Sequence, residues 1–205
     1  PQIEPTAVVI GPEKIFVLGG PEGKLYAEQS MQVGEFRCLQ ELKIPEEDYP
    51  GFEFFTLYEI LYEACGFPPK SLGILTCSDI ITQAFYELIF NTSIQKVDMT
   101  DFLLKARYFK SKNELKCMQV ASQIATYAMK AMIQSIEPGK RELEIAAIGE
   151  FVMKYFGADR IGVSTIVASG ERASSVLGRA SNRIIKEGEM ILFSISPRYE
   201  GMASC

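Results

Sequence analysis

The fold of this chain is decided by residues 164–183, STIVASGERASSVLGRASNR, together with residues 184–205, IIKEGEMILFSISPRYEGMASC. The first part predicts a strand that ends in Ala-Ser-Gly-Glu, and a glycine turn follows at 187–189. Ser194 and Ser196 are spaced two apart, so we predict that they alternate on one strand and face the same side. The stretch also concentrates four cations, at Arg172, Arg179, Arg183 and Arg198.

Two helices are predicted directly before this stretch. Ser111 precedes Glu114 by three residues, which forms a capping box, and the helix it opens extends to about residue 135, before Pro138-Gly139. Its apolar stripe includes Leu115, Met118, Ala121 or Ser122, Ala125, Ala128 or Met129, and Met132. The second helix covers 142–156, and we predict an inward face made of Leu143, Ala146, Ala147, Ile148, Phe151, Val152 and Tyr155.

The first hundred residues alternate short β-prone runs with helical patterns. Runs at 7–10 and 15–18 flank a turn and predict a hairpin, and further strands are predicted at 71–75 and 94–97. A helix is predicted over 52–64, and another that Ser78 or Asp79 caps and that extends to Phe90. This alternation predicts an α/β (α+β) fold with a mixed sheet and helices packed on it.

Five motifs occur in an order that resembles the creatinase, prolidase and methionine aminopeptidase family, the pita-bread proteins, and in particular their Xaa-Pro peptidase-like members. They are the segment Arg107 to Leu115, the Pro-Gly-x-x-Glu turn at 138–142, Ala-Ser-Gly at 168–170, the glycine turn, and Tyr199-Glu200-Gly201. The resemblance implies a creatinase-like N-terminal α/β domain over 1–105. It implies the first half of a pita-bread domain over 106–205, with the second half absent from this chain.

The resemblance also places the family's metal ligands. The two aspartate ligands fall on Ser194 and Cys205 and the active-site histidine falls on Leu177, in a chain without histidine. A catalytic dication of this type needs several carboxylate oxygens. We therefore expect no metal site and no cofactor.

The resemblance makes five side chains candidates for the site. Cys205 is the candidate nucleophile, with a space-filling substitution as the alternative, because a thiol needs a base or a cation to activate it. Ser194 and Ser196 are candidates for binding a polar substrate, or else they solvate a vacated site. Arg179 and Arg198 are candidates for binding an anionic substrate. The alternative for the arginines is ion pairing on the surface with Glu171, Glu187, Glu189 and Glu200.

Composition and charge indicate which classes of binding partner the sequence disfavours. A net charge of −5 disfavours nucleic acid, and no apolar run reaches membrane-spanning length. The N-terminus shows no secretory signal, and the five scattered cysteines form no CxxC pair, so we expect reduced thiols and a cytoplasmic protein. The resemblance implies a homodimer, and we expect the second half of the pita-bread domain as a separate chain or a deleted segment.

Two functions remain open from the sequence. The first is a divergent, metal-independent hydrolase that acts on an amide or peptide-like C–N bond of a small substrate, with part of its site supplied by the missing half. Creatinase, in the resembled family, hydrolyses a small C–N substrate without a metal. The alternative is a catalytically inactive pita-bread protein that binds peptides or proteins.

Overall fold

The protein is described by a computed structural model over residues 6–44, 47–76, 80–175 and 177–204. The chain divides into two compact units, residues 1–108 and residues 109–205. The boundary predicted at 105/106 stays a prediction. Within the described residues, no helix combines the length and the apolar composition that crossing a bilayer requires.

The first unit has a four-stranded sheet and a separate parallel pair of strands. The sheet has the order β1-β2-β3-β4 and contains β1 (Ala7–Ile10), β2 (Ile15–Gly19), β3 (Glu35–Leu39) and β4 (Phe54–Phe55). The pair is β5 (Ser71–Ile74) and β6 (Gln95–Asp98). The helices are α1 (Lys24–Ser30), α2 (Leu57–Cys65), α3 (Gln83–Phe90) and α4 (Thr100–Tyr108). The predicted hairpin is confirmed, because β1 and β2 pair antiparallel.

Two helix starts differ from the prediction. The helix predicted from residue 52 begins at Leu57, because the side chain of Thr56 accepts a hydrogen bond from the Glu59 amide and Glu59 accepts one from Thr56 in return. Residues before such a cap are extended, and here they form β4. The next helix, α3, begins at Gln83 after Thr82. The predicted caps Ser78 and Asp79 lie outside the described residues.

The second unit packs two helices against short antiparallel strands. The helices are α5 (Lys112–Gln134) and α6 (Glu142–Tyr155). The strands are β7 (Arg160–Ile161), β8 (Ile166–Ser169), β9 (Ile191–Ser194), β10 (Pro197–Tyr199) and β11 (Met202–Ala203). β8 pairs with β9, and β10 lies between β7 and β11. The capping box at Ser111 and Glu114 is confirmed, with both hydrogen bonds present.

The buried faces of the two helices differ in part from the faces that the sequence predicted. On α5 the stripe residues Ala121, Ala128 and Met132 are buried as predicted, but Leu115 is exposed. Ile124, which the predicted stripe left out, is buried too. On α6 the predicted inward face is largely wrong: Leu143, Ala147, Phe151 and Tyr155 are exposed. The buried face of α6 is instead Glu142, Ile145, Ala146, Gly149 and Met153. A charged residue and a glycine thus belong to the face that meets the core.

Candidate functional site

The sheet that carries the site candidates is built around β8. Ile166 pairs with Ser194 of β9 on one side and forms an isolated bridge with Arg179 on the other. Residues paired across antiparallel strands place their side chains on the same face of the sheet, and neighbouring strands lie about 4.8 Å apart. Ser194 and Arg179 therefore share one face, about two strand spacings apart.

Ser196 does not share that strand, so the prediction that it alternates with Ser194 on one strand is wrong. β9 ends at Ser194, and β10 starts at Pro197. Proline lacks an amide hydrogen and restricts the residue before it, which favours a break in the ladder at this point. Ser196 is buried, and its carbonyl accepts a 2.6 Å hydrogen bond from the Gly162 amide.

The remaining candidates occupy different environments. Arg198 forms an ion pair with Asp159 at 3.6 Å. The Arg179 side chain is exposed, and among the described residues its guanidinium has no hydrogen-bond acceptor. Leu177, where the resemblance predicts the position of the family histidine, is exposed. Cys205 lies outside the described residues. The described part of the chain contains no group of three or more histidine, cysteine, aspartate or glutamate side chains placed to hold a metal ion.

Sequence reasoning missed a buried carboxylate at the first residue of α6. The side chain of Glu142 has no solvent exposure. Its Oε1 accepts hydrogen bonds from the amide and the hydroxyl of Ser169, both at 2.8 Å. Its Oε2 accepts from the amide of Ser181 at 3.0 Å, from the hydroxyl of Ser181 at 2.7 Å, and from Nη1 of Arg172. One carboxylate therefore holds both ends of the segment 169–181, which includes Leu177, the predicted position of the family histidine.

A second ion pair continues this cluster. Arg183 pairs with Glu189 through both of its terminal nitrogens, and its Nη1 donates to the Ser169 hydroxyl at 2.6 Å. Arg172 also donates from Nη2 to the Arg179 carbonyl at 2.7 Å. We call this set the Glu142 network: Glu142, Ser169, Arg172, Ser181, Arg183 and Glu189.

Gly170 fits this network because it has no side chain. Its φ of +58° lies in the left-handed region, where glycine is favoured. A Cβ at this position would lie 2.7 Å from Oε1 of Glu189 and 2.8 Å from Nη2 of Arg183. The glycine of the Ala-Ser-Gly motif therefore lets the chain turn directly over the ion pair.

The network keeps its carboxylates ionised. Burial raises the pKa of Glu142, but the hydrogen bonds from Ser181, Ser169 and Arg172 outweigh it, so the net pKa is lowered. The hydrogen bond from Arg183, with a further one from the Lys186 amide, lowers the pKa of Glu189 to about 2. The same pair raises the pKa of Arg183.

These pKa values predict acid sensitivity. A carboxyl whose pKa is lower in the folded state stabilises the fold fully above its unfolded pKa of about 4.3, and this contribution is lost as the pH falls. For Glu189 the loss runs down to its folded pKa of about 2. We expect Glu189→Gln to lower the free energy of unfolding at about pH 7, and the difference from the wild type to shrink below about pH 4.

Urea unfolding across that pH range measures the effect. Glu187→Gln is the matched control, because Glu187 is an exposed carboxylate in the same turn. A difference between the wild type and Glu189→Gln that stays constant from neutral to acid pH contradicts the prediction.

Known proteins match this chain over most of its length. Residues 116–205 match metallopeptidase family M24. The Xaa-Pro dipeptidase of Pyrococcus furiosus is 31% identical over 185 residues, which cover 89% of this chain and 49% of that protein. The Xaa-Pro dipeptidase of Pyrococcus horikoshii is 37% identical over 163 residues, or 78% of this chain and 44% of that protein. Residues 116–205 are therefore a domain of metallopeptidase family M24, and the chain is similar to prolidases over most of its length.

The fold agrees with this similarity. The solved prolidase from Pyrococcus furiosus superposes with a TM-score of 0.73 at 24% sequence identity, covering 97% of this chain and 53% of that one. The mixed α/β prediction and the partial pita-bread domain are thus confirmed. The chain spans about half the length of the curated relatives it matches. The replacement of the family's metal ligands at Ser194, Leu177 and Cys205 stays a prediction.

Proposed function

We propose that the whole protein hydrolyses an amide or peptide-like C–N bond of a small substrate without a catalytic divalent metal. The substrate class follows from its similarity to Xaa-Pro dipeptidases. The metal independence follows from one observation: where the resemblance places two carboxylates and an imidazole, this chain has Ser194, Cys205 and Leu177. In this proposal the chain contributes substrate-binding and structural residues, not metal ligands.

The side chains at these positions do not fit a catalytic dication. Hydrolytic dications of this kind are held by several carboxylate oxygens and imidazole nitrogens, which compensate their charge. Ser194 offers a neutral hydroxyl and Leu177 offers no donor atom. The charged groups nearby, Glu142 and Glu189, are engaged with Arg172 and Arg183. No step of the reaction is therefore assigned to a metal held by this chain.

Two side chains on the face beside β8 suit a dipeptide. The Ser194 hydroxyl can donate and accept hydrogen bonds with an amide group. The Arg179 guanidinium is free of acceptors among the described residues, in contrast to the paired Arg172, Arg183 and Arg198. A guanidinium binds a carboxylate through two parallel hydrogen bonds. We therefore assign Arg179 to the terminal carboxylate of the substrate.

The metal independence predicts indifference to chelators. The intact natural protein, assayed on a panel of Xaa-Pro dipeptides, is expected to keep its hydrolysis rate after treatment with a chelator. Elemental analysis after purification without a chelator is expected to find manganese, cobalt and zinc well below one ion per chain. A stoichiometric metal whose removal abolishes hydrolysis contradicts the proposal. A hydrolase whose activity is known to need a divalent metal, treated in parallel, verifies that the chelator removes the metal.

A binding function without hydrolysis is the second candidate. It is favoured by the absence of histidine from the chain, since histidine is the most frequent general base in hydrolysis. Calorimetric titration with the same dipeptides separates the two candidates. Binding with no released amino acid, over times long enough for many turnovers of a typical hydrolase, assigns the protein to the binding class.

A further inference from the structure

Arg179 carries an exposed side chain on a backbone that the fold restrains. Just before it, Gly178 is buried against β8, and a Cβ at that position would lie 2.9 Å from the Cβ of Ala168. Arg179 itself forms the isolated bridge with Ile166 of β8. An exposed cation on a fixed backbone loses little main-chain freedom when it binds an anion, so such an arrangement suits a binding site.

The side chain of Arg172 adds a further restraint, because it links the backbone of Arg179 to the buried carboxylate of Glu142. Its Nη1 donates to Oε2 of Glu142 and, at 2.7 Å, to the hydroxyl of Ser181. Its Nη2 donates to the carbonyl oxygen of Arg179 at 2.7 Å. One guanidinium therefore connects a fully buried anion to the backbone of the residue that carries the exposed cation.

The link from Arg172 depends on the planar fork of an arginine side chain. The guanidinium presents its terminal nitrogens in fixed directions, so one donates to Glu142 while the other donates to the Arg179 carbonyl. A lysine ammonium would keep the charge beside Glu142, but it is a single nitrogen at the end of a flexible stem. Glu142 in turn fixes the direction of the fork, because it is buried and its two oxygens also accept from Ser169 and Ser181.

We propose that Arg172 is a positioning residue for substrate binding: it holds the backbone of Arg179 so that the Arg179 guanidinium is directed at the terminal carboxylate of the substrate. This inference rests on the proposed function, which assigns that carboxylate to Arg179. Arg172 acts through Arg179 and not by direct contact, because both of its terminal nitrogens already have acceptors. Breaking the link is therefore expected to weaken recognition of the carboxylate and to leave recognition of the rest of the substrate unchanged.

Two ligands that cannot be hydrolysed measure this recognition in the intact natural protein. The first is an alanyl-proline analogue whose scissile carbonyl is reduced to a methylene group, and the second is the C-terminal amide of the same analogue. Isothermal titration calorimetry gives both dissociation constants, and their ratio measures the preference for a carboxylate. The wild type is expected to prefer the carboxylate form by about tenfold or more, because the lost hydrogen bonds are made to a charged group.

Arg172→Lys tests the link itself. The variant keeps a cation beside Glu142, so we expect it to unfold cooperatively in urea, yet to lower the carboxylate preference several-fold. Arg183→Lys is the matched control, because it makes the same exchange within the Glu142 network at a side chain that donates to Ser169, Ile184 and Glu189 instead. The control is expected to leave the preference unchanged.

Gly178→Ala is a second variant, which disturbs the backbone beside Arg179 and leaves the buried ion pair of Arg172 and Glu142 in place. Its Cβ is too close to Ala168 for the backbone to keep its position. We expect the same several-fold loss of carboxylate preference. This variant decides the question in the same way if Arg172→Lys does not fold.

Arg179→Gln separates this inference from the proposed function. If Arg179→Gln abolishes the carboxylate preference and Arg172→Lys keeps it, the positioning role is overturned while the assignment of Arg179 stands. If Arg172→Lys weakens the binding of both ligands equally, its role is structural and the proposal is overturned as well. If Arg179→Gln keeps the preference, or the wild type binds neither ligand, the proposed binding site is wrong and the positioning role falls with it.

Discussion

Replacing Glu142 by alanine is expected to lower the free energy of unfolding by about 3–5 kcal/mol, because several buried and half-buried donors lose the acceptor that they share. The side chain is fully buried and accepts hydrogen bonds from Ser169, Ser181 and Arg172. After the substitution, the amides and hydroxyls of both serines lose their acceptor. Each buried polar group left without a partner costs about 1–3 kcal/mol.

A control on the same helix separates burial from charge. Glu144 lies two residues along, is exposed, and pairs with Arg141 at 3.0 Å. Glu144→Ala is expected to cost far less than Glu142→Ala, because an exposed ion pair contributes little to stability. Glu142→Gln keeps the side-chain volume but turns one acceptor into a donor, so it is expected to stay close to the alanine variant. Urea unfolding followed by circular dichroism measures all three. Similar losses for Glu142→Ala and Glu144→Ala contradict the prediction.

The parts of the fold that the sequence predicted well are those that depend on local chemistry. The capping box at Ser111 and Glu114 involves residues three apart, so it can be identified without knowing the rest of the structure, and α5 begins where it predicts. The hairpin of β1 and β2 is local for the same reason. The family motifs of residues 164–205 add the order of elements in the second unit, which local patterns alone do not provide.

The inward face of α6 shows why a count of apolar residues fails. Phe151 and Tyr155 are the two largest apolar side chains of the helix, and their spacing from Leu143 predicts a buried stripe. The structure instead buries the stripe of Glu142, Ile145, Gly149 and Met153. Neither Gly149 nor Glu142 adds apolar surface to this face. Gly149 is buried because a residue without a side chain permits close contact between the helices. Glu142 is buried because its carboxylate is fully hydrogen-bonded. The sequence did contain a signal for the buried face: Ile145, Gly149 and Met153 follow Glu142 at helical spacing.

The arginines of the site show a second limit of sequence-based prediction, which concerns the choice of ion-pair partners. The sequence predicted ion pairs with nearby glutamates as one alternative. The structure confirms it for Arg183, which pairs with Glu189, whereas Arg198 pairs with Asp159. The partner of Arg172, however, is Glu142, thirty residues earlier in the chain. Only the fold brings these two residues together, so spacing cannot identify the pair. Arg179, which keeps an exposed guanidinium, could be distinguished from the paired arginines only once their partners were known.

The contact between α5 and α6 leads to the second prediction. Met132 of α5 is fully buried and lies over Gly149 of α6. Met132→Ala is expected to cost about 2–5 kcal/mol, because it removes buried methylene groups and leaves a cavity. A Cβ at position 149 would lie 2.3 Å from the Sδ of Met132. Gly149→Ala alone is therefore expected to cost about 1–2 kcal/mol, since overpacking outweighs the gain of about 1 kcal/mol in helix propensity.

The two substitutions are expected to compensate each other when combined. In the Met132→Ala background, the new Cβ at position 149 enters the space that the thioether left, and the helix gains propensity without a clash. The double variant should therefore be more stable than the sum of the single effects by at least about 1 kcal/mol, a coupling typical of residues in contact. Ala147→Gly, at an exposed position of the same helix, is the control and should add to Met132→Ala within about 0.5 kcal/mol. Additivity of Met132→Ala with Gly149→Ala would show that the close approach of the two helices at Gly149 does not determine their packing.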